Sequence, residues 1–390
     1  MFTKLRVIEL ATVLAGPAVG QFFAELGAHV LKIENHNTGG DVTRSWRLSS
    51  ESANSEYINA YFSTVNWGKQ FVGIDISTNE GLAIFYDLIK EADILICNFK
   101  PGDDLKLKVD YETLASINPK LIYGHITGYG SNNNRVGFDA IIQAEAGFTF
   151  LNAEKGGNGH KMPVALMDVL AAHQLKEGLL VALLKRVENS LGTKVEVSLI
   201  QSGISALSNQ ALNYLHAGVI PKAMGSEHPN IVPYGSSFLT KDNEYLVLAV
   251  GTDKQFQLLC KVLEMSDIAF EDRFLSNKNR VENRKELNEI LATNMLNFDI
   301  EFILNQCLMH NIPAGRINNM EQVFEQPEAN ELIILSDELN MRGLKQVVAS
   351  NIESINLTTP KPIGFDTDKV LSQYLSSEKL IELKNKKVIA

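Results

Sequence analysis

The feature that most constrains this chain is a regular alternation, over roughly its first 200 residues, of short β-branched runs with longer segments that carry apolar residues at helical spacing. The strand-like runs are 5–10, 29–34, 71–76, 92–98, 121–127 and 193–199. The helical segments are 16–27, 79–92, 111–118 and one from near Asp168 to Arg186. This alternation is typical of a parallel sheet covered by helices. We therefore predict an α/β fold with a doubly wound, Rossmann-like large domain.

A change in composition marks the end of this pattern. Residues 220–238 read IPKAMGSEHPNIVPYGSSF, which is rich in Pro, Gly and Ser and indicates a crossing between domains. The strand-like YLVLAV, three helical segments between 253 and 310, and PAGRI indicate a smaller α+β domain. We interpret the charged stretch 276–289 as the wet face of a helix. The predicted domains are 1–220 (N-terminal part of the large domain), 221–325 (small domain) and 326–390 (a C-terminal segment returning to the large domain).

Charge, cysteines and the N-terminus exclude several classes of protein. A formal net charge of −10 argues against nucleic acid as a partner, because neutralising phosphates requires an excess of Lys and Arg. Cys97, Cys260 and Cys307 lie far apart and form no CxxC pair, so no disulfide framework or metal site is expected. With no apolar signal core and no membrane-length apolar run, we expect a cytoplasmic protein without a membrane partner.

Common catalytic signatures are missing from the chain. It contains no GxGxxG, GxxxxGK[ST], HExxH or GxSxG. These motifs are typical of dinucleotide dehydrogenases, P-loop enzymes, zincins and serine hydrolases, so the sequence does not favour any of these classes. What remains are glycine-containing turns after the first, fourth and fifth predicted strands, at 15–17, 98–102 and 127–130. Each turn alone has an ordinary structural explanation, because glycine and proline are common in turns and at helix starts. Together they predict one rim at the carboxyl edge of the sheet, where helix N-termini offer N–H groups to phosphate.

Asp168 lies where a helix is predicted to begin. One interpretation is an N-cap that binds the first-turn amides. The functional interpretation uses the same geometry, because a carboxylate beside backbone amides and a helix dipole stays ionised and fixed in orientation.

Several segments, taken in order, resemble one family. They are RVIELATVLAGPAVGQFFAELGAHVLKIE, GGDVTR, NFKPG, TGYG, GFDAIIQAEAG and MPVALMDVLAAHQLKEGLLVALLKR followed by LGTKVEVSL. From about residue 4 to about 255 their order and spacing resemble the class III CoA-transferases, the group of formyl-CoA and carnitine CoA-transferases. The resemblance implies an interlocked homodimer, with coenzyme A or acyl-CoA as a substrate rather than a permanently bound cofactor.

The resemblance also implies an activity. It places the family's catalytic aspartate on Asp168, which would attack an acyl-CoA thioester and pass CoA to a carboxylic acid through aspartyl anhydride and aspartyl-CoA intermediates. The chemistry is sound, because a thiol of pKa about 8.5 is a good leaving group. The enzyme would have to exclude water and supply donors for the developing oxyanion. A small dicarboxylic acid receiving CoA from succinyl-CoA is the expected substrate pair.

Further site residues follow from the same matching. The implied CoA-binding residues are Val13, Leu14, Ala15, Arg44, Lys69, Asn98, Phe99, Lys100, Lys106 and Asp139. Three of them, Lys69, Lys100 and Lys106, are candidates for the CoA phosphates, with solvated surface lysine as the alternative. For Arg44 the alternative is a simple ion pair with Asp41.

Departures from the family pattern keep other functions open. Leu14 stands where formyl-CoA-transferring members have glutamine, and 225–238 occupies the place of their glycine run, which disfavours formate and oxalate. An α-methylacyl-CoA racemase is the nearest alternative, but Phe138 stands where racemases carry a histidine base. A CoA-ester binding protein without catalysis is the alternative from another class. The sequence does not identify the acyl donor, the acceptor or the oxyanion donors.

Overall fold

The structure, a computed structural model, describes residues 2–54, 57–336, 341–349 and 355–390. Its strands are β1 (Arg6–Glu9), β2 (His29–Glu34), β3 (Lys69–Gly73), β4 (Ile94–Cys97), β5 (Ile122–Thr127), β6 (Thr193–Ser198), β7 (Tyr234–Leu239), β8 (Tyr245–Ala249), β9 (Ala314–Arg316), β10 (Ile333–Ser336) and β11 (Met341–Leu344). Its α-helices are α1 (Ala15–Glu25), α2 (Ala60–Ser63), α3 (Asn79–Lys90), α4 (Asp103–Leu107), α5 (Tyr111–Ile117), α6 (Asp139–Glu145), α7 (Phe148–Leu151), α8 (Leu166–Asn189), α9 (Leu199–Ala206), α10 (Asn209–Leu215), α11 (Asp253–Val262), α12 (Asn277–Glu282), α13 (Arg284–Met295), α14 (Ile300–Met309), α15 (Met320–Glu325), α16 (Pro327–Asn330), α17 (Thr367–Leu371) and α18 (Ser377–Asn385).

The chain divides into two compact units. The first comprises Met1–Gly147, Met162–Leu212 and Glu331–Ala390, and the second comprises Phe148–Lys161 and Asn213–Asn330. The predicted boundaries lie after 220 and 325, which puts 148–161 in the large domain. No local pattern in 148–161 distinguishes this short segment from the βα units on either side, so only its three-dimensional contacts assign it to the second unit.

A six-stranded parallel sheet forms the centre of the first unit. Its order is β3-β2-β1-β4-β5-β6, which is the strand order of dinucleotide-binding Rossmann folds. All six predicted strands lie in it. The residues of β4 and β5 are buried throughout, as expected for parallel strands covered on both faces, which read as continuous apolar runs. The predicted double winding, in which helices cover both faces of the sheet, stays a prediction.

The C-terminal residues complete the outer edge of this sheet. The backbone N–H of Phe71 in β3 donates to the Asp366 carboxylate at 2.9 Å, and Ala390 N–H donates to the Gly73 carbonyl at 3.1 Å. A Cβ on Gly73 would lie 2.4 Å from the Cβ of Ala390, so this approach requires glycine. The chain end thus packs directly against β3.

The second unit contains the antiparallel sheet β7-β8-β9 and helices α11 to α14, which share one apolar core. The charged stretch 276–289 is not simply the wet face of one helix. It covers two helices, α12 and α13, and Arg280 within it is fully buried. The guanidinium of Arg280 donates to the carbonyls of Val232 and Phe274 at 3.0 Å each and to Asp253 at 2.8 Å.

Among the described residues, no helix is both long and apolar enough to cross a membrane.

Candidate active site

The loops that follow β1 and β4 meet at the carboxyl edge of the sheet. These strands are neighbours, and the side chain of Asn98 ties the two loops together. Its Oδ1 accepts from Thr12 N–H at 3.1 Å and its Nδ2 donates to the Thr12 carbonyl at 2.8 Å. The first two of the three predicted turns therefore lie together, and Asn98 braces the first.

The first turn has an unusual backbone. Val13 has φ +71°, the left-handed region that β-branched residues rarely adopt, and its N–H lies 3.2 Å from each carboxylate oxygen of Asp41. Leu14 is the N-cap of α1 and makes no side-chain cap. A Cβ on Gly16 would lie 2.3 Å from the Cβ of Ala11, so glycine permits the close approach of α1 to the β1 loop. Because helical bonding begins with Ala18 N–H to Leu14 O at 2.9 Å, the Ala15 N–H is free for another acceptor.

The half-buried carboxylate of Asp168 lies near this amide. The backbone N–H groups of Ala15 and of Asp168 itself lower its pKa. Burial is the larger influence, and together with the negative charge of Asp139 it raises the pKa of Asp168 to about 7. Loss of water thus outweighs the two amides, so the pKa of this carboxyl lies well above that of an ordinary aspartate.

Asp139 performs the capping that one interpretation assigned to Asp168. Helix α8 starts at Leu166 after Ala165, which has no side-chain cap, and the Met167 N–H donates to Asp139 Oδ1 at 2.9 Å. The other oxygen of Asp139 accepts from Gln143 Nε2 at 2.8 Å. Asp168 is thus the third residue of the helix, and its carboxylate lies near the Ala15 N–H of α1 as well as its own N–H.

Tyr61, which was not among the predicted site residues, lies near enough to this carboxylate to sense its charge. Burial, followed by the charges of Asp168, Asp139 and Asp41, raises the pKa of the Tyr61 phenol. The ring of Trp46 packs edge-on against Tyr61 at 4.9 Å between centroids. Both aromatics come from the stretch between β2 and β3, which carries no recognisable catalytic motif, so no sequence signal indicated them.

Arg44 and Lys69 occupy structural positions beneath the site. Arg44 pairs with Glu34 through Nε at 2.8 Å and Nη2 at 2.6 Å, so its expected alternative partner Asp41 was wrong. Lys69 is buried, and its Nζ donates to Glu9 at 3.0 Å, to Pro17 O at 2.9 Å and to Asn66 Oδ1 at 2.8 Å. All three N–H bonds of Lys69 are engaged. Neither a phosphate contact nor a solvated surface lysine fits this burial.

The remaining predicted residues lie after β4. Phe99 is half-buried, and its carbonyl oxygen lies 3.0 Å from His125 Nε2. Lys100 and Lys106 are exposed, and Lys106 pairs with Asp103 at 2.8 Å across one turn of α4. Such an exposed pair is weak, so Lys106 can exchange its partner for a phosphate with little loss.

Potential metal ligands do not cluster among the residues that the structure describes. Within residues 2–54, 57–336, 341–349 and 355–390, no three His, Cys, Asp or Glu side chains come together as a metal site. The three cysteines are free and buried, and burial raises the pKa of each thiol.

Known proteins resemble this chain over most of its length. The model of CoA-transferase family III matches residues 3–366. Succinate–glutarate CoA-transferase of Agrobacterium fabrum is 38% identical, covering 83% of this chain and 82% of that protein. Succinyl-CoA:mesaconate CoA-transferase of Haloarcula hispanica is 30% identical over 92% and 91%. The crystal structure of a CAIB/BAIF family protein from Brucella suis superposes with a TM-score of 0.86 at 34% identity, covering 95% and 98% of the two chains. The chain therefore belongs to family III of the CoA-transferases and is a CoA-transferase.

Proposed function

We propose that this enzyme moves CoA between dicarboxylic acids with Asp168 as the covalent nucleophile. The observation that supports this role is the position of its carboxylate, half-buried and close enough to the Ala15 N–H at the N-terminus of α1 for that amide to lower its pKa. A pKa of about 7 leaves roughly half of the carboxylate ionised at neutral pH. Asp168 acts first as the nucleophile that forms an anhydride and later as the leaving group that is expelled from one. A pKa near neutrality suits both roles.

The proposed reaction has four balanced steps. An ionised oxygen of Asp168 attacks the thioester carbonyl of the donor and expels CoA thiolate, which leaves a mixed anhydride. The thiolate attacks the Asp168 carbonyl of this anhydride, which releases the donor acid and forms aspartyl-CoA. The acceptor carboxylate attacks aspartyl-CoA and again expels the thiolate. Finally the thiolate attacks the acceptor's carbonyl, which releases the new acyl-CoA and regenerates Asp168.

The surroundings of Asp168 supply what these steps require. The Ala15 N–H favours the charged form of this carboxylate in the resting enzyme, and it can donate to the oxyanion that develops on residue 168 in each tetrahedral intermediate. Asp139 raises the nucleophile's pKa and caps its helix, so we assign it a supporting role instead of a direct CoA contact.

We assign the binding of CoA to the loops after β1 and β4. Val13, Leu14 and Ala15 offer backbone and apolar contacts beside the nucleophile, and Phe99 offers an apolar surface next to Asn98. Lys100 and Lys106 are exposed cations that suit the phosphates. Arg44 and Lys69 contribute indirectly, because both are held by buried or half-buried partners.

The named relatives support the substrate class. One is a succinate–glutarate enzyme and another a succinyl-CoA:mesaconate enzyme, so both are named for small dicarboxylic acids. We propose succinyl-CoA as the donor and a dicarboxylic acid of similar length as the acceptor. A panel of glutarate, mesaconate, malate and monocarboxylic acids, scored by formation of the new thioester, tests this directly.

Trapping with hydroxylamine tests the nucleophile. Incubation with succinyl-CoA and hydroxylamine should place a hydroxamate on the peptide that contains residue 168, detected by mass spectrometry, and inactivate the enzyme. Asp168→Asn should show neither the modification nor turnover while still binding CoA. Asp93→Asn is a matched control, because Asp93 lies before β4 at the opposite edge of the sheet, where it pairs with Arg186 at 2.9 Å. Turnover by the Asp168→Asn protein would overturn the proposed mechanism.

The lysine assignment has its own matched pair. Lys106 and Lys90 are both exposed and form similar pairs one turn apart, with Asp103 at 2.8 Å and Asp87 at 2.7 Å. Lys106→Ala should raise the KM for succinyl-CoA several-fold at low salt, and Lys90→Ala should not. Equal KM values for the two variants would remove Lys106 from the CoA site.

We also propose a cytoplasmic homodimer. Helix α8 exposes Val181, Leu184 and Val187, with 51%, 70% and 84% of each residue accessible, and an apolar stripe of this size is typical of a protein interface. The free thiols fit a reducing compartment. A mass of one chain by light scattering at micromolar concentration would contradict the dimer.

A further inference from the structure

A buried charge network lies directly beneath the first turn. Lys32, on β2, is fully buried, and its Nζ lies 2.9 Å from Glu9 Oε1, 2.8 Å from the Ala11 carbonyl and 3.0 Å from Asp41 Oδ2. Lys69 reaches the other oxygen of Glu9 at 2.7 Å. Two lysines and two carboxylates therefore balance each other's charge, and Asp41 is the member of this network that contacts the turn.

Asp41 is held ionised and fixed in direction. Burial alone would raise its pKa, but the Lys32 ammonium and the Thr43 N–H and hydroxyl outweigh this and hold the pKa of Asp41 below its ordinary value. Thr43 donates to Asp41 Oδ1 through N–H at 3.1 Å and through Oγ1 at 2.8 Å. The carboxylate is thus anchored on one side by Thr43 and Lys32, with its remaining acceptor capacity directed at Val13.

The contact with Val13 sustains a strained backbone. A valine at φ +71° has an unfavourable conformation, which persists only where surrounding contacts over-determine it. Both Asp41 oxygens lie 3.2 Å from the Val13 N–H, and Asn98 holds Thr12 on the preceding side. Two residues later the Ala15 N–H is one of the two backbone amides that lower the pKa of Asp168. If Val13 relaxed to an extended conformation, the start of α1 would turn and that N–H would point elsewhere.

We propose that Asp41 is a positioning residue: by holding Val13 in the left-handed conformation, it aims the Ala15 N–H at the carboxylate of Asp168. This inference rests on the proposed role of Asp168 as the nucleophile. Asp41 itself touches neither the substrate nor the reacting atoms.

Asp41→Asn tests the proposal because the amide keeps the shape and its Oδ1 can still accept from Thr43, but its Nδ2 is a donor that faces the Val13 N–H and the Lys32 ammonium, so one of the two acceptors that hold Val13 is lost. We expect kcat to fall about 10- to 100-fold, as for small misplacements of catalytic groups. We also expect the acid limb of the kcat/KM profile to move to higher pH, because the displaced Ala15 N–H no longer favours the charged form of Asp168. The groups that face Asp168 are Asp139 on α6 and Tyr61 on α2, and both remain in this variant.

The direction of that shift separates positioning from simple electrostatics. Asp41→Asn removes a negative charge and leaves Lys32 without one partner, and both changes by themselves would move the acid limb to lower pH. Glu34→Gln is the matched control, since Glu34 is a buried carboxylate beside Asp41 that binds Arg44 and the Asp41 N–H without touching Val13. Its melting temperature should fall while the acid limb stays in place.

Thr43→Val provides a milder second variant in case Asp41→Asn does not fold. It removes one hydroxyl anchor of Asp41 and keeps the charge, so a smaller shift of the acid limb to higher pH is expected. An acid limb that is unmoved or lower in both variants would overturn the inference. Such a result is distinguishable from failure of the proposed function, in which Asp168→Asn would itself retain turnover.

Discussion

Replacing Asp168 by asparagine should make the protein more stable, and more so at pH 8 than at pH 5. Burial, reinforced by Asp139, raises the pKa of Asp168 from 3.8 to about 7. Between these two values the folded state binds a proton that the unfolded state does not, so stability falls as pH rises through this window. A separation of about 3 pKa units corresponds to about 4 kcal/mol once both states are fully ionised.

Only part of that penalty has developed at pH 5. Asp168 in the unfolded chain is mostly ionised there, whereas in the folded protein it begins to ionise only as pH approaches 7. Of the total, about 2–3 kcal/mol is therefore added between pH 5 and pH 8. Asparagine carries no charge to desolvate, so the stability difference between Asp168→Asn and the parent protein should grow by this amount over the interval.

Urea unfolding at both pH values, followed by fluorescence and circular dichroism, measures this difference. Asp242→Asn serves as the control of opposite sign. Hydrogen bonds from Thr240 and the Ile300 N–H lower the pKa of Asp242, so its stabilisation is complete above the ordinary value of 3.8 and is lost only as pH falls below it. The destabilisation caused by Asp242→Asn should thus be the same at pH 5 and pH 8. If the effect of Asp168→Asn were equally flat, the reasoning about Asp168 would be refuted.

Three further results are expected. The kcat/KM of the parent enzyme should rise with pH to about 7 and stay constant above it. Asp139→Asn should move this rise to lower pH, since Asp139 raises the pKa of Asp168. Steady-state rates from pH 5.5 to 8.5 test both. Gly16→Ala should destabilise the protein by about 1–3 kcal/mol in urea, because its Cβ would meet Ala11 at 2.3 Å, and an unchanged midpoint would contradict the required close approach. Arg280→Ala should destabilise the second unit by about 3 kcal/mol or more, because two buried carbonyls lose their donor. Asp253→Asn is the control: it should change stability by less than about 1 kcal/mol, because Asp253 is half exposed. Comparable unfolding midpoints for these two variants would contradict the assigned role of Arg280.

Much of the first unit could be predicted from the sequence because its signals are local. Parallel strands buried on both faces read as apolar runs, so all six strands of the sheet were found within a few residues of their ends. The start of α8 and the place of Asp168 in its first turn also follow from nearby residues and from the order of the family's segments.

The assignments that failed depend on distant partners. Lys69 looks like any lysine before a strand, yet its burial against Glu9 is set by the packing of β3 beside β2 and α1. Arg280 lies in a stretch whose charge predicts full exposure. It is buried instead, because its guanidinium donates to the backbone carbonyls of Val232 and Phe274.

The sequence by itself indicated the order of strands and helices along the chain, the family, and Asp168 as the candidate nucleophile, because these are carried by local residue patterns and by the order of those patterns. Only the tertiary structure brought Tyr61 and Asp139 near Asp168, raised the pKa of that carboxyl toward neutrality and placed Asp41 against Val13. The physical reason is that desolvation and charge act through space, between groups that the fold brings together from separate segments.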